Sequence, residues 1–167
     1  ELHHLGERDR IHSLRQIFNR DIAENEFFTF NQKIIRPLKR EDEIDVESLF
    51  KHLTFRTEDF KERGHKRIKK RSVFDYERSK RLHWIKPHIG QEIRNAEIEI
   101  FSANVRRGGK NVIRTFIYNR DKEYVIILEP QRSGMDYYFI TAYYLEKKLG
   151  GLKSIKNTMK RRLPEVH

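Results

Sequence analysis

Residues 96–144 read "AEIEIFSANVRRGGKNVIRTFIYNRDKEYVIILEPQRSGMDYYFITAYY". Four stretches of it, 96–103, 111–118, 123–130 and 136–144, alternate in polarity or are rich in β-branched and aromatic residues. That period of two is the mark of a strand. The connections "VRRGGK", "NRDK" and "QRSGM" are short and carry turn-forming residues. Strands this close in sequence, joined by tight turns, predict an antiparallel four-stranded meander.

Alternation sorts the side chains onto two faces. Ile98, Ile100, Ile113, Thr115, Ile117, Val125, Ile127, Ile140 and Ala142 form a nearly aliphatic set, expected to face a covering helix. Arg114, Phe116, Tyr118, Tyr124, Ile126, Leu128, Phe139, Thr141 and Tyr143 form the opposite set. An arginine at mid-strand is unusual on a face buried only for stability. Two readings are open for Arg114. It pairs with Glu129, or it binds a phosphate bidentately while the aromatics stack on bases.

Upstream of the meander the period is helical. Asp75 is placed to cap a helix over residues 76–89, with Leu82, Ile85 and Ile89 as its apolar stripe and Pro87 closing or kinking its end. Residues 61–72, "KERGHKRIKKRS", read as a basic loop and a domain boundary. Before it, residues 7–25 predict an amphipathic helix and 27–35 a strand or half of a hairpin. Pro37 is a break, and a second helix over 45–53 is capped by Asp45. The tail, 144–162, reads as helix interrupted at Gly150 and Gly151. The expected fold is α+β: a helix packed on a four-stranded antiparallel meander, with an N-terminal helix-rich cap. In that division residues 1–60 are the cap or a separate lobe, 61–72 the basic loop and 73–167 the core.

A chain of 167 residues suits one domain with a small appendage. It has no cysteine, so disulfides and thiolate metal ligands are excluded. No apolar run approaches the roughly 20 residues that span a bilayer, and no secretory signal is visible. The first residue is Glu1 rather than Met, which suggests a longer parent polypeptide.

Net charge is +11 and unevenly placed. Residues 1–60 hold 10 Lys/Arg against 13 Asp/Glu, residues 61–89 hold 11 against 3, and residues 131–167 hold 8 against 3. Two concentrated basic segments suit either a solvated surface or a polyanionic partner.

"RLHWIKPHI", 81–89, places His83 and His88 beside Lys86 and the only tryptophan. Histidine titrates near neutrality and suits both proton transfers of RNA transesterification, while arginine or lysine neutralises charge on the phosphoryl oxygens. Structural packing is the competing reading for each histidine. The chain has no H-E-x-x-H, no Cys/His cluster and no EF-hand loop, and "VRRGGK" does not match the P-loop pattern.

The order "FDYERSKRLHWIKPHI", "VIRTFIYNRDKEYVIILEP", "DYYFITAYYLEKK" resembles the phage-associated barnase, EndoU, colicin D/E and RelE-like (BECR) superfamily of small ribonucleases. The likeness covers about residues 73–150. It implies a helix followed by a four-stranded antiparallel sheet, metal-independent chemistry without a cofactor, and a toxin or effector module of a larger phage or secreted protein. Its site of action would be cytoplasmic. By position it implies His83, Arg114 and Thr141.

The leading expectation is a metal-independent endoribonuclease that leaves a 2′,3′-cyclic phosphate on tRNA or another structured RNA. His83 is its acid/base, with His88 as a second candidate. Arg114 and Lys86 bind the phosphate, and Thr141 and Tyr143 orient the scissile group. Lys69, Lys70, Arg71, Arg81, Arg106, Arg107 and Tyr118 are expected to bind RNA. An acidic immunity or antitoxin protein is an expected partner. The alternatives are a non-catalytic RNA- or DNA-binding module and a protein-interaction domain.

Overall fold

The computed structural model describes residues 2–37, 39–40, 43–60, 68–93, 97–146 and 150–167, with the side chains of 39–40, 43–44, 58–60 and 68–70 omitted. Residues 61–67 of the expected basic loop, and Ala96 of the first expected strand, lie outside the described residues.

Helix α1, Glu7–Phe18, carries Glu7 and Asp9 in its first turn, where the helix dipole favours carboxylates. It continues through a π-turn over Asn19–Ala23, which brings Ile22 into the core behind Leu14 and Phe18. The next segment is a tight hairpin of β1, Thr29–Phe30, and β2, Lys33–Pro37. Its two loop residues, Asn31 and Gln32, both have positive φ (48° and 63°), as a two-residue hairpin turn requires. Short strands β3, Lys39–Arg40, and β4, Glu43–Ile44, pair with each other.

Helix α2, Val46–Thr54, begins where Asp45 accepts from the Ser48 amide at 2.7 Å. Strand β5, Phe55–Phe60, follows and pairs with β6, Ile68–Phe74. The stretch expected as a loop to residue 72 is therefore strand from Ile68 onward.

The expected helix over 76–89 is three pieces: α3, Tyr76–Ser79, a 3₁₀ turn, Leu82–Trp84, and α4, Ile85–Ile89. Pro87 accounts for the second break, between the 3₁₀ turn and α4. A proline has no amide hydrogen and is tolerated only in a first turn, so the helix restarts at Ile85. The predicted stripe survives the break, since Leu82, Ile85 and Ile89 are all buried.

Strands β7, Ile98–Arg107, β8, Lys110–Asn119, β9, Tyr124–Pro130, and β10, Asp136–Tyr144, form the predicted meander. The sheet is larger than predicted. Its order is β1-β2-β10-β9-β8-β7, six strands, with β2 parallel to β10 over Asp136–Phe139. Arg36 and Asp136 close that junction at 2.9 Å. Helix α5, Gly151–Lys160, completes the fold. No helix among the described residues is long and apolar enough to cross a membrane.

The faces differ from the expected sets. Ile117 is opposite Ile100 and Ile126, and Thr115 is opposite Ser102 and Leu128. The face with Ile98, Ile100 and Ile117 therefore holds Tyr124, Ile126 and Leu128, and packs on Leu14, Phe18, Phe50 and Leu82. Val125 and Ile127 point the other way, with Phe101, Phe116 and Tyr118, under Leu152, Ile155 and Met159 of α5. The four-residue turn between Asn119 and Tyr124 sets this parity, and a slip of one residue exchanges faces. A bulge between Phe139 and Thr141 changes the parity again within β10, so Ala142 joins the first core while Ile140 packs on the second.

The first core draws almost equally on residues 14–53 and 82–142. The N-terminal segment thus supplies two strands of the sheet and nearly half of that core. After α5 the chain bridges Arg162 to Ala103, and Leu163 donates to Ser102 O at 2.7 Å, covering the outer edge of β7.

Candidate phosphate-binding cleft

The β2–β10 pairing ends at Phe139, and α2 and α3 pack along β10 beside it. Thr54 O joins the two helices by accepting from the Asp75 amide at 2.9 Å and the Ser79 hydroxyl at 3.0 Å. This arrangement brings His52 from α2, Arg71 from β6 and Arg78 from α3 against Thr141 and Tyr143 of β10. Arg114 from β8 and Arg107 from the end of β7 complete the lining of a cleft of about 290 Å³, whose walls, among the described residues, include no carboxylate. A depression that shares His52, Arg107 and Arg114 continues from it and adds Lys110, Asp45 and Glu129.

Two of the guanidiniums have structural work. Arg78 donates to His52 O at 2.6 Å, and Arg71 donates to Phe55 O at 2.7 Å and to His52 Nε2 at 3.2 Å. These bonds satisfy carbonyls at the end of α2, where a cation also complements the helix dipole. Arg78 Nε is buried with no hydrogen bond, and the nearest carboxylate oxygen, of Asp75, is 3.7 Å away. Arg114 reaches a single oxygen of Glu129 from both Nε and Nη2 at 3.3 Å, a long and weak fork.

Burial lowers the pKa of Arg71, Arg78 and Arg114. For Arg71 the charge of Arg78 adds to the effect, and for Arg114 that of Arg107 does. All remain cations at any ordinary pH. The Tyr143 phenol is pushed up by burial, and the charges of Arg78 and Arg114 oppose that rise. It keeps its proton at neutral pH, with the Arg78 guanidinium 5.7 Å from its ring centroid. The cleft is therefore a concentrated positive field with a hydroxyl donor in it, and an anion with several acceptor oxygens fits both features.

Of the residues singled out from sequence, Arg71, Arg107, Arg114, Thr141 and Tyr143 meet here. The histidine stretch does not. His83 is exposed with its ring 6.3 Å from that of Trp84, and Lys86 is exposed on α4. His88 is buried: its Nδ1 donates to Trp84 O at 2.6 Å and its Nε2 accepts from Asn119 Nδ2 at 3.1 Å. Asn119 and Arg114 lie on opposite faces of β8, five residues and so roughly 16 Å apart. His88 thus belongs to the first core, and it cannot act on a phosphate held by Arg114. Arg81 is bound to Glu77 at 2.8 Å and stacks over Tyr144, and Tyr118 is buried in the second core. Arg106 is exposed on β7, and the side chains of Lys69 and Lys70 are outside those described.

Sequence reasoning missed His52 and Arg78, and it placed Glu129 only as a partner of Arg114. His52 and Arg78 read as polar flanks of helices, and only the packing of α2 and α3 on β10 brings them to the site. Among the described residues no three His, Asp or Glu side chains group as metal ligands.

The buried imidazole has a measurable consequence. Desolvation lowers the His88 pKa below its ordinary 6.5, against the raising effect of its bond to Trp84 O. The groups around it are Trp84, Asn119 and Tyr124, and burial holds the Tyr124 phenol protonated. Between the two His88 pKa values the unfolded chain binds more protons, so stability rises with pH there. The contribution is complete above about 6.5 and is lost as pH falls toward the folded value. A His88→Gln protein is expected to show a flatter dependence of Tm on pH below about 6.5. An unchanged slope would remove His88 as the cause.

Fold and cleft together define an α+β protein with an arginine-lined site at the place where its sheet passes from strand pairing to helix cover. No protein-family model, curated protein or solved structure matches the chain.

Proposed function

We propose that the cleft binds a phosphodiester of RNA and cleaves it by metal-independent transesterification. The observation that carries this reading is the convergence of Arg71, Arg78, Arg107 and Arg114 on one cleft that also holds Tyr143 and Thr141. Arg114 and Arg78 take the non-bridging oxygens and stabilise the charge that builds on them. Glu129, beside Arg114, accepts the proton of the 2′-hydroxyl, whose oxygen forms a bond to phosphorus. The bond from phosphorus to the 5′-oxygen breaks, and that oxygen takes the phenolic proton of Tyr143. The products are a 2′,3′-cyclic phosphate and a free 5′-hydroxyl. Thr141, next to Tyr143 in the cleft, orients the group being cut. His83 and Lys86 have no part in this arrangement, which departs from the sequence-based choice of acid and base. An acidic antitoxin or immunity protein would suit the same cleft by setting carboxylates against the four arginines.

A second reading is a nucleic-acid-binding module without turnover. It is favoured by Arg71 and Arg78 already serving the end of α2 and by Arg114 being paired with Glu129, so that three of the four guanidiniums have protein partners. Incubation with tRNA and with total RNA in EDTA separates the two. Fragments ending in 2′,3′-cyclic phosphate are expected. Intact RNA that is nonetheless retained, with affinity falling steeply in salt, would support binding alone.

A further inference from the structure

A cleft of this size holds one phosphate, while an RNA presents a continuous row of them. Residues 150–163 contain Lys153, Lys156, Lys160, Arg161 and Arg162 and no carboxylate. Helix α5 meets the sheet through Leu152, Ile155 and Met159, and all five cations are exposed. Among the described residues none of the five has a salt-bridge partner, and Arg161 bonds only the carbonyl of Asn157. One carboxylate, Glu123, lines a groove with Lys156 and Lys160. Glu97 and Glu99 pair with Arg120, and Glu123 bonds the Tyr144 hydroxyl.

The placement of these cations is ordered. Lys153, Lys156 and Lys160 are three and four residues apart, so they form one stripe roughly 10 Å long. Just beyond it Arg162 is bridged to Ala103, which is opposite Arg114. Opposed residues of neighbouring strands share a face, so Arg162 stands on the same side of the sheet as Arg114, two strand spacings or roughly 10 Å away. Arg162 thus stands between the cleft and the lysine stripe, whose Lys156 and Lys160 lie farther on, beside Tyr118 and Arg120.

From this we infer that α5 and Arg162 bind the phosphate backbone of a double-stranded RNA stem, whose adjoining single strand enters the cleft. The inference rests on the ribonuclease reading above and names its substrate class. The composition of the ridge selects a stem over a single strand. Single strands are held by stacking on exposed aromatics, and α5 exposes none. Stems hide their bases and are held through phosphates and 2′-hydroxyls, which suit lysines interspersed with Ser154 and Asn157. The apolar side of α5 is used against the sheet, so the helix has no face left to insert into a lipid surface.

The test compares the full chain with a Lys153→Gln, Lys156→Gln, Lys160→Gln protein. One probe is an RNA stem-loop of about one helical turn, made 2′-deoxy in the loop to prevent cleavage. The other is a single-stranded tetranucleotide of the loop sequence. For the stem-loop, the triple variant is expected to bind at least tenfold more weakly at physiological salt. Its plot of log affinity against log salt should lose about three units of slope. The tetranucleotide should bind both proteins equally. Equal loss on both probes, or no loss on the stem-loop, overturns the inference alone. If the unaltered chain binds neither probe, the ribonuclease reading falls and this inference with it.

Discussion

Under the proposed ribonuclease function, an Arg114→Gln protein is expected to cleave RNA about 10²–10³-fold more slowly than the unaltered chain, by analogy with deletion of one transition-state donor in other hydrolytic sites. The size follows from the position of the group. Arg114 is mostly shielded from water, its side chain only 11% exposed, and its carboxylate partner among the described residues, Glu129, is reached by a long fork. Such a guanidinium gains much from a phosphoryl oxygen and has little to release in order to meet it. Binding of uncleaved RNA should weaken far less than the rate, because Arg71, Arg78 and Arg107 remain. An Arg114→Lys protein keeps the charge without the fork and should recover only part of the rate. Circular dichroism checks that Glu129, left unpaired, has not disturbed the sheet. A folded Arg114→Gln protein with an undiminished rate would remove the cleft from the chemistry.

The second large effect is on stability. Phe50 is buried at the centre of the first core, edge-on to Phe18 at 5.3 Å, with the Arg15 guanidinium 3.7 Å from its ring centroid. Phe50→Ala is expected to cost about 3–5 kcal/mol, since α1, α2 and the sheet cannot all close on the space left. For a chain of this size that is a fall in Tm of roughly 6–20 °C. Unfolding should stay a single transition, because Phe50 and Phe18 share one apolar cluster with Ile117, Ile126 and Leu128 of the sheet. Calorimetry decides the matter. Two separate transitions, with the mutation moving only one of them, would mean that residues 1–60 form a lobe of their own.

Both expectations depend on features that differ greatly in how visible they are in the sequence. The four strands of the meander were visible because alternation and turn residues are local properties, and the observed strands lie within a few residues of the predicted ones. The caps at Asp45 and Asp75 were visible for the same reason, each being one side chain bonded to an amide three residues on. Strand β2 overlaps the strand expected over 27–35, but its place in the sheet was not visible. It pairs with β10 at a separation of about one hundred residues, and nothing in "KIIRP" names its neighbour. The two faces were misassigned because a four-residue turn and one bulge decide parity, and neither is written in the alternation itself.

The site divides along the same line. Arg114 stood out because a mid-strand arginine conflicts with its apolar surroundings, a conflict that local reading detects. Thr141 and Tyr143 shared its expected face, Thr141 being implied by the family resemblance as well, while Arg71 came from the basic run 61–72 and Arg107 from the turn "VRRGGK". The histidines drew attention by composition, and His83 also by the family resemblance, but His88 is occupied by Trp84 and Asn119 instead. His52 and Arg78 carried no such signal.

The sequence by itself determined an α+β chain with a helix-bounded antiparallel meander, strongly basic segments and an arginine placed against the grain of its strand. These are properties of neighbouring residues, governed by side-chain alternation, capping and charge. Only the tertiary structure decided that the sheet has six strands and two covered faces, and that four arginines from four different elements line one cleft. It also decided that the histidines lie elsewhere. Those outcomes depend on strand register and on how α2 and α3 pack against β10, which arise from contacts between residues far apart in the chain.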